Sequence, residues 1–191
     1  MKSDLKKIRK SMEKTLDAKR YEHTLGVEYT AAALAMRYDV PVQNARLAGL
    51  LHDCAKCLSD KKRISICEKH NISINEVERR NPFLLHAKVG SFLAMEEYGV
   101  KNPDIINAIL NHTTGRPRMS SLEKIIFIAD YIEPNRKQAP NLAEIRKLAF
   151  QDLDKALLRI LEDTLAYLQG GSGEIDPMSQ KTYEYYKNEK F

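Results

Sequence analysis

The 191-residue chain contains no run approaching the roughly 18 consecutive apolar residues of a membrane span, so no membrane role is expected. Residues 1–10 are charged and lack the apolar stretch that export requires. Cysteine is scarce: Cys54, Cys57 and Cys67 are three in all. An odd number lying close together does not suggest an extracellular disulfide framework. The cytoplasm is therefore the expected compartment. No block of five or more like charges marks a nucleic-acid tail, and no nucleic-acid partner is expected. The basic residues within 2–19 read as a solvated helix face. Regular alternation of β-branched and polar residues is also scarce, which argues against a sheet. There is no internal repeat, low-complexity tract or linker, and the length suits one hydrophobic core better than two. The expected organisation is one domain over residues 1–191.

What the chain does have is ordinary globular material, 43% hydrophobic and 30% charged, with a net charge of +5. That excess makes anionic partners plausible without naming one. Helix formers dominate, and apolar residues recur at helical spacing. The pattern predicts an all-α fold, with helices over residues 4–16, 19–38, 41–57, 60–70, 82–98, 103–112, 121–132, 142–150 and 152–169. Pro41, Pro82 and Pro103 suit first helical turns. Ser120 or Ser121 suits a cap, with Glu123 or Lys124 in the first turn that follows. Pro134 ends its helix. Gly170, Gly171 and Gly173 break the last long helix and open a looser tail.

The chemistry lies in which side of these helices carries histidine and aspartate. His23 shares a stripe with Val27, Ala31 and Leu34. His52 and Asp53 end the apolar run Leu47-Ala48-Gly49-Leu50-Leu51. His86 shares a face with Phe83, Gly90 and Leu93, His112 follows Ile105 and Ile109, and Asp130 continues Leu122 and Ile126. His70, at a helix end, reads as a surface residue. Taken singly, a histidine on an apolar face is more often a hydrogen-bonded core residue than a ligand. Burying four imidazoles and two carboxylates without partners would cost a few kcal/mol each, against a total stability of ~5–15 kcal/mol. A bound cation removes that difficulty, keeping the aspartates ionised and the imidazoles neutral. Cys54-Ala-Lys-Cys57 lacks a second pair for a zinc site and a thioredoxin-like strand pattern, so it reads as packing cysteines.

The order His23, His52-Asp53, Asp130 resembles the signature of the HD-domain metal-dependent phosphohydrolases, with His86 and His112 where two-metal members carry further ligands. Five stretches strengthen the likeness: Arg20-Tyr-Glu-His-Thr24, Ala48-Gly-Leu-Leu-His-Asp-Cys-Ala-Lys56, Leu85-His-Ala-Lys-Val-Gly90, His112-Thr-Thr-Gly115 and Ile128-Ala-Asp-Tyr-Ile-Glu-Pro-Asn-Arg136. They resemble the YqeK family of HD-domain symmetrical bis(5′-nucleosyl)-tetraphosphatases. The likeness covers residues 20–136, with a fainter echo in the tail; the remaining C-terminal helices and tail are expected over 142–191. It implies a helical HD bundle with a dinuclear metal site, diadenosine tetraphosphate as substrate and two ADP as products.

Under that resemblance the metal ligands are His23, His52, Asp53, His86, His112 and Asp130. His23, His52, Asp53 and Asp130 are placed on one ion, and His86 and His112 on the other, with Asp53 bridging. Nitrogen and oxygen donors suit iron, manganese, cobalt or zinc; the resemblance tips the choice to two iron ions. Two divalent ions and two carboxylates leave a formal charge near +2, attractive to polyphosphate, and lower the pKa of a bridging water from ~15.7 towards neutrality. The resulting hydroxide is the expected nucleophile, with Asp53 and Lys56 as the catalytic side chains. Arg20, His23, His86, Thr113, Asp130 and Arg136 fall where the family contacts nucleotide, and Lys88 and Arg116 are further cations of interest. The tail at residues 173–178 resembles a loop that approaches the nucleotide, bringing Ile175 to the substrate. The residue before the proline is often His in the family, whereas here it is Asp176. The expected partner is a dinucleoside polyphosphate or ADP, and a homodimer is left open. Other readings are an HD phosphohydrolase for a nucleoside monophosphate, a cyclic dinucleotide or a stringent-response nucleotide, and, from another class, a di-iron oxygenase or a nucleotide sensor.

Overall fold

Short polar side chains open most of the helices by accepting hydrogen bonds from the first free backbone N–H groups. Asp4, Asp17, Ser59, Asn75, Asn102, Ser120, Asp152 and Asp176 all act this way. Asn75 with Glu78, and Ser120 with Glu123, form reciprocal capping boxes. A computed structural model describes residues 4–171 and 174–189. It contains α1 (Leu5–Thr15), α2 (Ala18–Arg37), α3 (Val42–Leu51), α4 (Asp60–Lys69), α5 (Glu76–Arg80), a 3-10 turn (Pro82–Leu85), α6 (His86–Glu96), α7 (Pro103–Leu110), α8 (Ser121–Ile132), α9 (Leu142–Leu148), α10 (Leu153–Gln169) and α11 (Pro177–Asn188). The protein is all-α, with no strand among the described residues. None of the described helices is long and apolar enough to cross a membrane.

Three of the expected helices end or begin differently, for local reasons. The helix expected over 41–57 stops at Leu51, and residues 52–57 form turns. Its end coincides with the His52 imidazole donating from Nδ1 to the Gly49 carbonyl at 2.7 Å. The amides beyond it bond three residues back, Cys54 to Leu51 and Lys56 to Asp53. The segment from Pro82 begins as a 3-10 turn and becomes α-helical only at His86. The helix expected to 112 ends at Leu110, again with an imidazole on a carbonyl, His112 Nδ1 to Ile109 O at 2.7 Å. The expected loose tail is also corrected, because α11 occupies most of it. Its opening is signalled by Asp176 and Pro177, but it buries only Thr182 and Tyr186, one turn apart. So narrow an apolar stripe gives little periodic signal. The short α5 was missed for want of length. Gly173, and Lys2 of the basic cluster, lie outside the described residues.

Helix α2 is the axis of the packing, lying against α3 and α8; α3 also meets α7 and α8, while α6 packs on α7 and α10 on α8, α9 and α11. The main core runs from Ile8 in α1 to Tyr186 in α11. A satellite of Ala55, Cys67, Leu85 and Val89 joins it through Leu93, which touches both. The Tyr186 hydroxyl accepts a hydrogen bond from the Met119 amide at 2.8 Å, tying α11 to the segment before α8. A buried carboxylate fastens the other end. Glu28 accepts two bonds from Arg9 of α1 at 2.7 and 2.8 Å and is also held by Arg46 of α3 at 3.0 Å.

The α2–α3 pair approaches closely at Gly49, where an added Cβ would lie 3.0 Å from Glu28 Cα and 3.2 Å from the Val27 carbonyl oxygen. Those neighbours are helix backbone and cannot swing aside. Gly49→Ala is expected to lower stability by about 1–3 kcal/mol despite alanine's better helix propensity. Urea unfolding checks this as a lower midpoint at unchanged slope; a midpoint equal to or above the parent's would contradict the close approach.

Candidate metal centre

Four imidazoles and two carboxylates from five parts of the chain meet in the interior. His23 comes from the second turn of α2, His52 and Asp53 from the end of α3, His86 from the start of α6, His112 from just past α7, and Asp130 from α8. His52 is wholly buried, and His86, His112 and Asp53 are at most 3% exposed. His23 Nε2 lies 3.0 Å from Asp130 Oδ1 and 3.9 Å from Asp53 Oδ2. His52 Nε2 is 3.5 Å from Asp53 Oδ2, while His86 and His112 approach Asp53 Oδ1 at 3.4 and 3.6 Å. Asp53 thus faces His23 and His52 with one oxygen and His86 and His112 with the other.

The ring protons are assignable from geometry. His52, His86 and His112 each donate from Nδ1 at 2.7 Å to the carbonyl three residues earlier, on Gly49, Phe83 and Ile109. A carbonyl oxygen only accepts, so each neutral ring carries its proton on Nδ1 and turns the Nε2 lone pair inward. The Nε2 atoms of His86 and His112 are 3.1 Å apart. Two lone pairs at that distance repel unless a cation lies between or beside them. His23 Nε2, His52 Nε2 and Asp53 Oδ1 are buried and make no hydrogen bond. Each such group costs ~1–3 kcal/mol if left unmet, and a metal ion meets them together. His23, His52 and Asp130 converge within 4.8 Å, as do His52, Asp53 and His112. The donor set fits a hard-to-borderline divalent metal.

Electrostatics favour the protonation states that ligation needs. Burial pushes His52 down to about 4 and His86 down to about 3. Burial works to raise the Asp53 carboxyl, yet His52, His112, His86 and Lys56 hold it well below the usual carboxylate range. Asp130 is likewise held down against burial by His23, His52 and Arg136. For His23 burial opposes protonation, but Asp130, Glu133 and Asp53 together raise it; a proton and a cation compete for that Nε2.

The expected cations gather around the cluster with varying success. Arg20 Nη1 donates to Asp53 Oδ2 at 2.7 Å, and Arg136 Nη2 to Asp130 Oδ1 at 2.9 Å. Lys56 Nζ reaches 3.2 Å from His86 Nε2 by way of the turn, rather than the continued helix that its spacing suggested. Burial lowers its ammonium pKa. The Thr113 hydroxyl is 3.2 Å from Nε2 of both His86 and His112. Lys88 and Arg116 are otherwise engaged, with Glu78 at 2.8 Å and with both oxygens of Glu123 at 2.7 and 2.8 Å. Two cavities flank the cluster. One, about 620 Å³, is lined by Lys19, Arg20, His23, Glu133, Arg136 and Lys137 among others. The other, about 440 Å³, includes Lys88, Thr113, Asp176 and Lys181. Ile175 lines neither, and Asp176 is accounted for as the cap of α11, accepting from the Met178 amide at 2.8 Å and from Asn75 at 3.2 Å.

Comparison with known proteins identifies the family. The HD domain family model matches residues 20–135, well over half of the chain. The chain belongs to the HD-domain family. Two relatives within it carry the name symmetrical bis(5′-nucleosyl)-tetraphosphatase. The Bacillus subtilis protein is 40% identical over 87% of this chain and 88% of its own. That of Halalkalibacterium halodurans is 42% identical over 86% and 87%. A solved structure from Clostridium acetobutylicum, described as a predicted HD superfamily hydrolase involved in NAD metabolism, superposes with a TM-score of 0.92. It is 42% identical and covers 95% of this chain and 96% of that one. HD domains are metal-dependent hydrolases, and the His/Asp cluster offers this one a metal site.

Groups with no role in the sequence analysis also hold the cluster. Glu133 accepts from His23 Nδ1 at 3.1 Å, and the carbonyls of Gly49, Phe83 and Ile109 orient His52, His86 and His112. The available signal was that Glu133 lies three residues beyond Asp130, nearly one turn along. Cys54 is buried with its thiol pushed up to about 12 by burial, as packing requires. Cys57 is exposed and bonds Asp17 at 3.4 Å, so only half of the pair packs.

Adding a divalent metal to the metal-free protein should raise its melting temperature by about 5–10 °C at ligand concentrations ~100 times Kd. Asp53→Ala removes the carboxylate shared by all four imidazoles and should abolish that shift. Calorimetry with cobalt(II) or manganese(II) checks it; an equal shift in the variant would move the metal elsewhere.

Proposed function

We propose that this protein hydrolyses dinucleoside tetraphosphates symmetrically, diadenosine tetraphosphate to two ADP, at a centre of two divalent ions, iron by preference. His23, His52, Asp53, His86, His112 and Asp130 are the proposed ligands, within a single domain spanning the chain. The observation carrying this reading is the convergence of buried, unpaired donors, His23 Nε2, His52 Nε2 and Asp53 Oδ1, beside a cavity lined by Lys19, Arg20, Arg136 and Lys137. The names of the relatives above support the substrate.

Bound divalent metal supplies Lewis acidity and a water of lowered pKa. The protein's own residues supply the rest. Asp53 presents one oxygen to each half of the cluster and holds the donors in register. With the Asp53 and Asp130 carboxylates turned to metal, the guanidinium N–H groups of Arg20 and Arg136 are left for phosphate oxygens, which they match as planar forks. Lys56, its ammonium held at the His86 edge by a buried stem, meets the charge that develops on the departing diphosphate. The Thr113 hydroxyl donates to phosphate on the opposite side. The cavities, each in the size range of ligand pockets, receive the two halves of a substrate cut at its middle. Of the tail, Asp176, Pro177 and Met178 border the smaller cavity, and Ile175 does not.

Metal-loaded protein incubated with diadenosine tetraphosphate should yield ADP alone by chromatography, whereas ATP plus AMP would exclude symmetrical cleavage. Arg136→Ala should lower kcat/KM about 10–100-fold, and Lys56→Met should lower kcat about 100-fold, losses of ~1.4–2.7 kcal/mol in transition-state stabilisation. Parent-like kinetics in either variant would remove that residue from the reaction. No turnover of any nucleotide by the loaded parent would favour a sensor.

A further inference from the structure

His23 differs from the other three imidazoles in how it is aimed. It lies inside α2, where the backbone carbonyls serve the helix, and its Nδ1 partner comes from 110 residues away, on Glu133. Glu133 is 2% exposed. One of its oxygens accepts from His23 at 3.1 Å, and the other from the Asn135 amide at 2.7 Å. Arg136, the next residue, reaches back to both the carbonyl and a side-chain oxygen of Asp130 at 2.8 and 2.9 Å. One carboxylate thus holds the back of a proposed ligand and the turn that presents a proposed phosphate-binding guanidinium.

Space for that carboxylate is made by Gly26, three residues after His23 on α2. A Cβ at Gly26 would lie 2.4 Å from Glu133 Oε2 and 3.2 Å from its Cδ. Glycine is the poorest helix former after proline, so its presence inside a 20-residue helix calls for a reason other than helix stability. Any larger residue would occupy the seat of the Glu133 carboxylate. Glu133 cannot yield without breaking its bonds to His23 and Asn135, because it is enclosed.

We propose that Glu133 is a positioning residue for His23, seated in a notch that Gly26 keeps open, and that the pair sets how tightly the His23 side of the centre retains its metal. The inference rests on the proposed metal centre. A carboxylate behind a ligating imidazole fixes the ring's tautomer and direction and raises the basicity of the other nitrogen. Here it also links that ring to the turn bearing Arg136, so orientation of metal ligand and substrate contact depend on the same two oxygens.

The test is a cycle of cobalt(II)-loaded proteins: parent, Glu133→Ala, Glu133→Gln, Gly26→Ala and the Gly26→Ala/Glu133→Ala double variant. Release of cobalt to a chelator is followed by its visible absorption, with melting of each metal-free protein as the control for folding. Glu133→Ala should release metal 10–100-fold faster. Glu133→Gln should fall between it and the parent, since an amide oxygen still accepts from Nδ1 but brings no charge. Gly26→Ala alone should resemble Glu133→Ala, and the double variant should be no worse than either, because both changes remove the same contact. Effects that multiply in the double variant would overturn the notch. Parent-like release and spectrum in Glu133→Ala would overturn the positioning role while leaving the metal centre standing. A parent protein that takes up no cobalt would overturn the centre itself.

Discussion

The site depends on hydrogen bonds made on the side of the histidines that faces away from it. Each of the four rings has its Nδ1 engaged, three by carbonyls of their own turns and one by Glu133. For the three on carbonyls the proton must be on Nδ1, so the lone pair at Nε2 is aimed inward by default. Collected in a dry space around Asp53, such lone pairs are unfavourable company for one another and favourable company for a cation. The other polar groups of the site, Arg20, Lys56, Thr113 and Arg136, are disposed around that arrangement.

The helical scaffold serves it by ending where it does. Nitrogen donors at the mouth of a helix need freedom from the regular ladder, and His52, His86 and His112 occupy the end of α3, the start of α6 and the turn after α7. Each imidazole binds a carbonyl three residues back, so the change in backbone regularity and the aiming of the ring fall at the same place. His23 and Asp130 come from helix interiors, where rigidity is greatest, and α2 and α8 pack directly on one another. Their 3.0 Å approach follows from that packing.

Much of this was legible in the linear chain because helical periodicity reports which side of a residue faces inward. Val27, Ala31 and Leu34 betrayed the direction of His23, and Leu122 and Ile126 that of Asp130. Residues whose importance comes from backbone geometry or from distant partners gave no such signal. The carbonyls of Gly49, Phe83 and Ile109 have no side-chain signature. Glu133 had nothing beside it in the chain to mark it, since the histidine it serves is 110 positions away. Helix α11 escaped notice because a helix burying little more than Thr182 and Tyr186 owes its order to a cap and one tyrosine hydroxyl rather than to a broad apolar face. Lys56 was expected near the histidines for a spacing reason that the turn at residues 52–57 replaced with another.

The three self-contained ring contacts have a bearing on which element occupies the centre. Because those imidazoles are oriented by their own neighbouring backbone, most of the proposed coordination sphere is preformed, and little ordering would remain for an incoming ion to impose. A rigid nitrogen-and-oxygen cage of this kind discriminates weakly among first-row metals of similar radius, whose affinities follow their intrinsic order more than the contours of the cage. Were the proposed centre filled, supply of metal, more than stereochemistry, would decide its occupant.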